Sequence, residues 1–260
     1  MPRDRPKAPV QRRIAPPKVR TPRHGLARVL SKLGLCSRSQ AESWIRGGRV
    51  SVDGRIVHDT ERPSTTRERI AVDGVDVDAR ERVYLMLNKP RGYVTSAADE
   101  RGRDTVYTLL ADAALPWIAP VGRLDKASEG LLLLSNDSVW AAQISAPESH
   151  LDKTYHVQID RVPDESMLAA LRAGIDAGDE HLALKSVREL RRGDKHAWLE
   201  VVLDEGRNRQ IRRVLAAFEI GVLRLVRVAI GSLALGALAK GQWRALSADE
   251  VAALSVGHAR

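Results

Sequence analysis

The stretch VGRLDKASEGLLLLSND, residues 121–137, places Arg123, Asp125, Lys126 and Glu129 immediately before an apolar run, Leu131 to Leu134. A carboxylate at the mouth of a buried strand is costly unless it is paired or used chemically. Asp125 in a loop opened by Gly122 suits two roles: a turn or cap former, or an acid, base or nucleophile supported by the cations beside it. A second basic element, EGRNRQIRR, carries Arg207, Arg209, Arg212 and Arg213. Arg212 follows Ile211 at the edge of an apolar stripe, where an ion pair to an acid can form. The same element also reads as a basic helix end facing a polyanion. Asp125 and Glu129 as a glycosidase pair would need a sugar cleft with stacked aromatics. Aromatic residues are only 4% of the chain.

Other chemistries lack their residues. The seven histidines are scattered without a His-x3-His pair, and Cys36 is the one cysteine. That excludes an internal disulfide and a cysteine-based zinc site. No phosphate-cradling or dinucleotide glycine fingerprint occurs, nor a Gly-x-Ser-x-Gly elbow. Neither a cofactor nor a metal is therefore expected. The net charge of +9 points to a polyanionic partner. Residues 1–23 hold eight basic residues against Asp4, a net +7, which leaves +2 for the other 237. This Pro-rich basic tail has no apolar period and reads as disordered, either a solubilising extension or an RNA-contacting arm. No membrane-length apolar run and no secretory apolar segment is seen. A monomer in a reducing cytoplasm is expected.

The elements that must hold these residues fall into two groups. Over 24–80, Leu26, Val29, Leu30 and Leu33 recur at helical spacing. Ser37 with Gln40 forms a capping-box pattern for a second helix carrying Ala41, Trp44 and Ile45. VSVDGRIV and IAVDGVDV read as hairpins turning at Asp53-Gly54 and Asp73-Gly74. Cys36 is expected to pack between the helices. The polar side is basic, with Arg28, Lys32, Arg38, Arg46 and Arg49 as candidate RNA contacts.

Over 81–260, strands are expected at 83–88, 130–135, 153–159, 197–204 and 223–231. The 130–135 segment is apolar throughout, hence buried on both faces. Helices are expected from Asp137 to about Ser145, from Pro163 through Leu171, after Asn208, and from a Ser247/Glu250 capping box. Strands outnumber helices and do not alternate with them. The expected class is α+β: a small αβ domain, then a mixed, mostly antiparallel sheet flanked by helices.

Two resemblances become specific on these residues. LARVLSKLGLCSRSQAESWIRGGRVSVDGRIV resembles the S4 RNA-binding domain, through the turn Gly34, Leu35, Ser37, Arg38 and the hairpin Gly48 to Gly54. GRLDKASEGLLLLSND resembles the signature of ribosomal RNA pseudouridine synthases that carry an N-terminal S4 domain. NKPRGYVTSAADERG, DKTYHVQI, EGRNRQIRRVL and LRLVRVAIGSLALGALAKGQWRAL resemble further segments of that family, in family order. The resemblance implies isomerisation of a uridine to pseudouridine without a cofactor, on a base flipped out of folded RNA. It makes Asp125 the catalytic aspartate, Tyr155 the aromatic against the target base, Arg212 the partner of the aspartate and Leu225 a pocket wall. Arg123 matches a position near the site. Lys89, Lys153 and Arg209 are taken as RNA contacts. Ser128 and Ser138 stand where the family has threonine and glycine, and ISAPESHLDKTY lacks its His-Pro pair. The Gly-Arg-Asn-Arg-Gln form of the basic motif resembles the large-subunit enzymes more than the small-subunit one. A non-catalytic ribosome-associated S4 protein is the competing reading.

Overall fold

The structure, a computed structural model, describes residues 23–78, 80–96 and 102–255. The expected basic tail lies outside the described residues apart from Arg23.

The first unit runs β1 (His24–Gly25), α1 (Leu26–Lys32), α2 (Arg38–Arg46), β2 (Val50–Val52), β3 (Arg55–Ile56), β4 (Pro63–Ser64), β5 (Ile70–Val72) and β6 (Val75–Asp76). Leu26, Val29, Leu30 and Leu33 are buried as their spacing demands, in one cluster with Cys36, Ala41, Ile45, Val50 and Ile70. Burial pushes the Cys36 thiol up to about 11, so it packs as a small apolar group with little thiolate character. Ser37 Oγ accepts from the Gln40 N–H at 3.1 Å and caps α2. Both Asp-Gly turns have two successive positive φ angles, 50° and 79° at Asp53-Gly54, 52° and 79° at Asp73-Gly74. That backbone matches the twist of a two-residue hairpin. The strands order as β3-β2-β5-β6.

The second unit runs β7 (Tyr84–Lys89), a 3-10 turn (Val106–Leu110), β8 (Ala119–Val121), β9 (Glu129–Ser135), α3 (Ser138–Ser145), β10 (Lys153–Ile159), α4 (Glu165–Ala173), β11 (Ile175–Ala177), β12 (Glu180–Leu182), β13 (Ser186–Arg192), β14 (Ala197–Leu203), α5 (Gln210–Ala217), β15 (Val222–Ile230), β16 (Leu233–Ala234), β17 (Trp243–Ala245) and α6 (Ala248–Ser255). Its main sheet orders as β13-β14-β10-β15-β9-β7-β17, with β8 beside β9 and β16 beside β15. The β15/β9 pair is parallel; the others are antiparallel. This is the α+β architecture with a mixed, mostly antiparallel sheet that the element pattern implied.

Every residue of β9 is buried, and period two explains how. Leu132 and Leu134 enter a cluster with Leu85, Tyr155, Leu199 and Ile211. Leu131 and Leu133 enter another with Met86, Trp140, Ile144 and Leu254. One strand thus joins both cores and gives the loop before it a rigid base.

Some helix starts differ from the sequence expectation. Asp164, not Pro163, caps α4, accepting from the Met167 N–H at 2.7 Å, and the helix reaches Ala173. Asn208 does not cap α5. Arg209 precedes the helix with φ 50° and no side-chain cap. Asp137 caps α3 as expected, through Val139 and Trp140. Ser247 and Glu250 form a reciprocal capping box, at 2.9 and 3.2 Å.

Candidate active site

Asp125 lies between β8 and β9. Gly122 turns the chain at φ 74°. At the other end Gly130, at φ 100°, leaves no room for a side chain: a Cβ there would sit 2.2 Å from the Arg227 carbonyl oxygen on β15. Between the two glycines the backbone is fixed by donors from elsewhere. Thr95 Oγ1 donates to Leu124 O at 2.8 Å. Lys89 Nζ donates to Asp125 O at 3.1 Å and to Ser128 O at 2.8 Å. The Gly92 N–H takes Lys126 O at 2.8 Å, and Arg212 Nη2 takes Ala127 O at 3.1 Å. Five consecutive carbonyls, 124 to 128, each have a donor. Such a loop holds its carboxylate in one place without using the carboxylate to do it.

Lys89 is therefore not an RNA contact: its side chain is fully buried beneath the Asp125 loop. β7 pairs with β9 as far as Lys89 opposite Gly130, and the Lys89 ammonium bonds the carbonyls of Pro90, Asp125 and Ser128. Arg212 also departs from expectation. The ion-pair partner of Asp125 is Arg209, with Nη1 3.4 Å from Oδ2. Arg212 instead reaches the loop carbonyl, and its Nε is buried without a partner. The unwound turn before α5 lets Arg209 fold over the rim, while Arg212 is held on the helix face. Glu129 is sealed inside the sheet between Arg224 Nη2 at 3.1 Å and Lys240. Burial works to raise its carboxyl, but the hydrogen bonds from Arg224 and Lys240 hold it below its usual value. A glycosidase pair with Asp125 is thereby ruled out.

Asp125 opens onto a cavity of about 500 Å³ that Tyr155, Leu225, Arg212 and Arg123 also line. Tyr155 and Leu225 are buried, on the adjacent strands β10 and β15. Arg123 and Arg209 are exposed at the mouth. Lys153 lines the cavity two residues before Tyr155, with Nζ donating to Leu151 O at 2.9 Å. Residues 121–125, 153–155, 207–212 and 225, far apart in sequence, thus converge. Arg227, which also lines the cavity, was missed in the sequence. The signal for it was the pair of charges, Arg224 and Arg227, set into a strand whose other residues are apolar.

On the first unit, Arg28 and Arg38 line one recess with Arg23 and His24. Lys32 Nζ is 2.8 Å from His24 Nε2. Desolvation, then the charges of Lys32 and Arg28, push the His24 pKa down. Arg46 pairs with Glu42 at 3.2 Å, and Arg49 with Asp73 while lying 5.4 Å over the Trp44 ring. Such exposed pairs contribute little to stability.

Lys89 gives the site a pH signature. Burial pushes it down to about 8, against the attraction of Asp125 and Glu129. A lysine lowered in the fold is charged there at a cost below that value. Between about pH 8 and 10.5 the unfolded chain binds more protons, so this group makes stability rise with pH. Relative to Lys89→Met, the wild type is expected to gain up to roughly 3 kcal/mol across that window. Urea unfolding of both proteins at pH 7 to 10 checks it; a difference independent of pH contradicts it.

Residues 83–217 match the RNA pseudouridylate synthase family and residues 25–63 the S4 domain. The ribosomal large subunit pseudouridine synthase B of Bacillus subtilis is 34% identical over 87% of this chain and 93% of its own. An uncharacterized RNA pseudouridine synthase of Aquifex aeolicus is 36% identical over 87% and 92%. A crystal structure of a pseudouridylate synthase, 31% identical, superposes with a TM-score of 0.62 over 90% of this chain and all of that one. The sheet that carries the Asp125 loop is therefore that of a known isomerase fold, and the chain belongs to the RNA pseudouridine synthase family, with an S4 domain ahead of its synthase domain.

Proposed function

We propose that this chain converts a specific uridine of large-subunit ribosomal RNA to pseudouridine, with Asp125 as the catalytic group. The observation that carries this reading is the cavity in which the Asp125 carboxylate, on its fully bonded loop, faces the same space as Tyr155 and Leu225. A uridine inside folded RNA reaches that space only by leaving its stack. Tyr155 then offers a stacking face, a contribution of about 1–3 kcal/mol in single-strand binders. The N1–C1′ bond breaks with its electron pair on the ring. The Asp125 carboxylate either adds to C1′ or takes the C2′ proton. The ring turns, C5 bonds to C1′ as the carboxylate leaves C1′ or the proton returns to C2′, and the C5 proton is released as N1 gains one. The exposed Arg123 and Arg209 at the mouth, with Arg28, Arg38, Arg46 and Arg49 on the S4 domain, supply phosphate contacts. The large-subunit assignment is supported by the name of the Bacillus relative and by the form of the 206–210 motif.

The test is tritium release from 5-tritiated large- and small-subunit rRNA transcripts. Stoichiometric release from the large-subunit transcript is expected. Release from the small-subunit transcript alone would redirect the substrate, and release from neither would overturn the reading.

A further inference from the structure

The floor of the cavity holds a charge imbalance that neither the loop nor Asp125 requires. Arg227 and Tyr155 are cross-strand partners on β15 and β10, so their side chains leave the sheet on the same face. Both line the cavity, as does Lys153. Arg227 is only 4% exposed. Its Nε donates to Leu131 O at 2.7 Å, and its Nη2 is buried with no partner at all. Lys153 is half-buried, and its Nζ has one carbonyl, Leu151 O. Burial and then the charge of Arg227 push the Lys153 pKa down. Two cations thus stand close together in poor solvent. Of the acids whose charge reaches Lys153, Asp152 is paired with Lys185 at 2.6 Å, and the partly exposed Asp204 has the His150 ring at 4.0 Å. Buried charges are ordinarily paired. A pair of cations left short of acceptors in a ligand-sized cavity is built for an acceptor that arrives.

Resting on the pseudouridine synthase reading, we propose that Lys153 and Arg227 receive the carbonyl edge of the flipped uracil and stabilise the ring as an anion while it is detached. When the N1–C1′ bond breaks, both electrons stay on uracil and the charge spreads over O2 and O4. When C5 bonds to C1′, that electron pair forms the C–C bond and the ring is neutral again; C5 then loses its proton as N1 gains one. Only in between is the ring anionic, so cations fixed at its oxygens act mainly on the transition state. A backbone phosphate is the less fitting occupant. The cavity mouth already has exposed cations for it in Arg123, Arg207 and Arg209. Tyr155 and Leu225 flank the floor with surfaces suited to a planar ring.

The experiment compares Lys153→Met, Arg227→Met and Lys153→Arg with wild type, on a 5-tritiated large-subunit rRNA transcript at saturating enzyme. Single-turnover tritium release, RNA affinity and melting temperature are read together. Each methionine variant is expected to lose about 10²–10³-fold in rate with affinity within threefold of wild type. Lys153→Arg, which keeps the charge, is expected to recover to within tenfold of wild type. A merely structural role would lower the melting temperature and would not be rescued by charge. Methionine variants within threefold of the wild-type rate, or a rate loss matched by lost affinity, overturn the proposal. A wild type inactive on both rRNAs overturns the functional reading itself, and this inference with it.

Discussion

Asp125→Asn is expected to lower the single-turnover rate by roughly 10⁴-fold or more, the scale on which removing a nucleophile or base acts, with RNA affinity within a few-fold. The amide has the same shape but neither adds to C1′ nor takes a proton. The size of the effect is informative because the hydrogen bonds that hold the loop backbone do not use the carboxylate. The loop backbone is held through Leu124 O to Ser128 O by Thr95, Lys89, Gly92 and Arg212. The one ion pair lost, to Arg209 at 3.4 Å, joins side chains about half and a third exposed, and such pairs contribute at most about 1 kcal/mol. The attraction of Asp125 for the buried Lys89 is lost as well, so the melting temperature should fall modestly while the protein stays folded. A variant with near wild-type activity would remove Asp125 from the mechanism, and one that fails to fold would contradict the described loop.

Gly130→Ala is expected to act on the fold instead. A Cβ at this position meets Arg227 O at 2.2 Å and Arg227 N at 2.8 Å, both backbone atoms that cannot swing aside, and φ is 100°. The clash falls on the parallel pairing of Gly130 with Arg227, which joins β9 to β15 and so the aspartate loop to the pocket wall. The cost is put at about 3–5 kcal/mol, in the tail of single substitutions, a fall in melting temperature on the order of 10 °C. Gly54→Ala is the control: φ is 79°, but nothing lies within 4 Å, so only the backbone strain of about 1–2 kcal/mol applies. Thermal unfolding of the two variants side by side separates strain from collision. Equal losses would mean that the close approach of β15 is not as described.

Local rules were legible in the sequence where a short stretch decides its own geometry. The two Asp-Gly turns, the Ser37 and Ser247 caps and the all-apolar 131–134 run each carry their reason within a few residues. Asp125, Tyr155 and Leu225 were legible through motif order, and the structure brings them to one cavity. What was not legible depends on pairings between distant segments. Lys89 looks like a surface lysine until β7 lies on β9 and its three acceptors, two of them 36 and 39 residues away, surround it. Arg209 and Arg212 are both basic residues of one motif. Only the left-handed turn at Arg209 decides which one reaches the carboxylate. Arg227 reads as one of two arginines, with Arg224, in a strand of apolar residues until Tyr155 is placed beside it. The polar strand β13 escaped notice because an edge strand with one buried residue has little apolar signal.

The most direct test of the central claim maps pseudouridines at single-nucleotide resolution in the ribosomal RNA of cells lacking this protein, and of the same cells given back wild type or Asp125→Asn. One large-subunit uridine should remain unmodified without the protein, regain its modification with wild type, and stay unmodified with Asp125→Asn at equal protein levels. Restoration of that pseudouridine by the asparagine variant, or an unchanged map in its absence, would contradict the assignment.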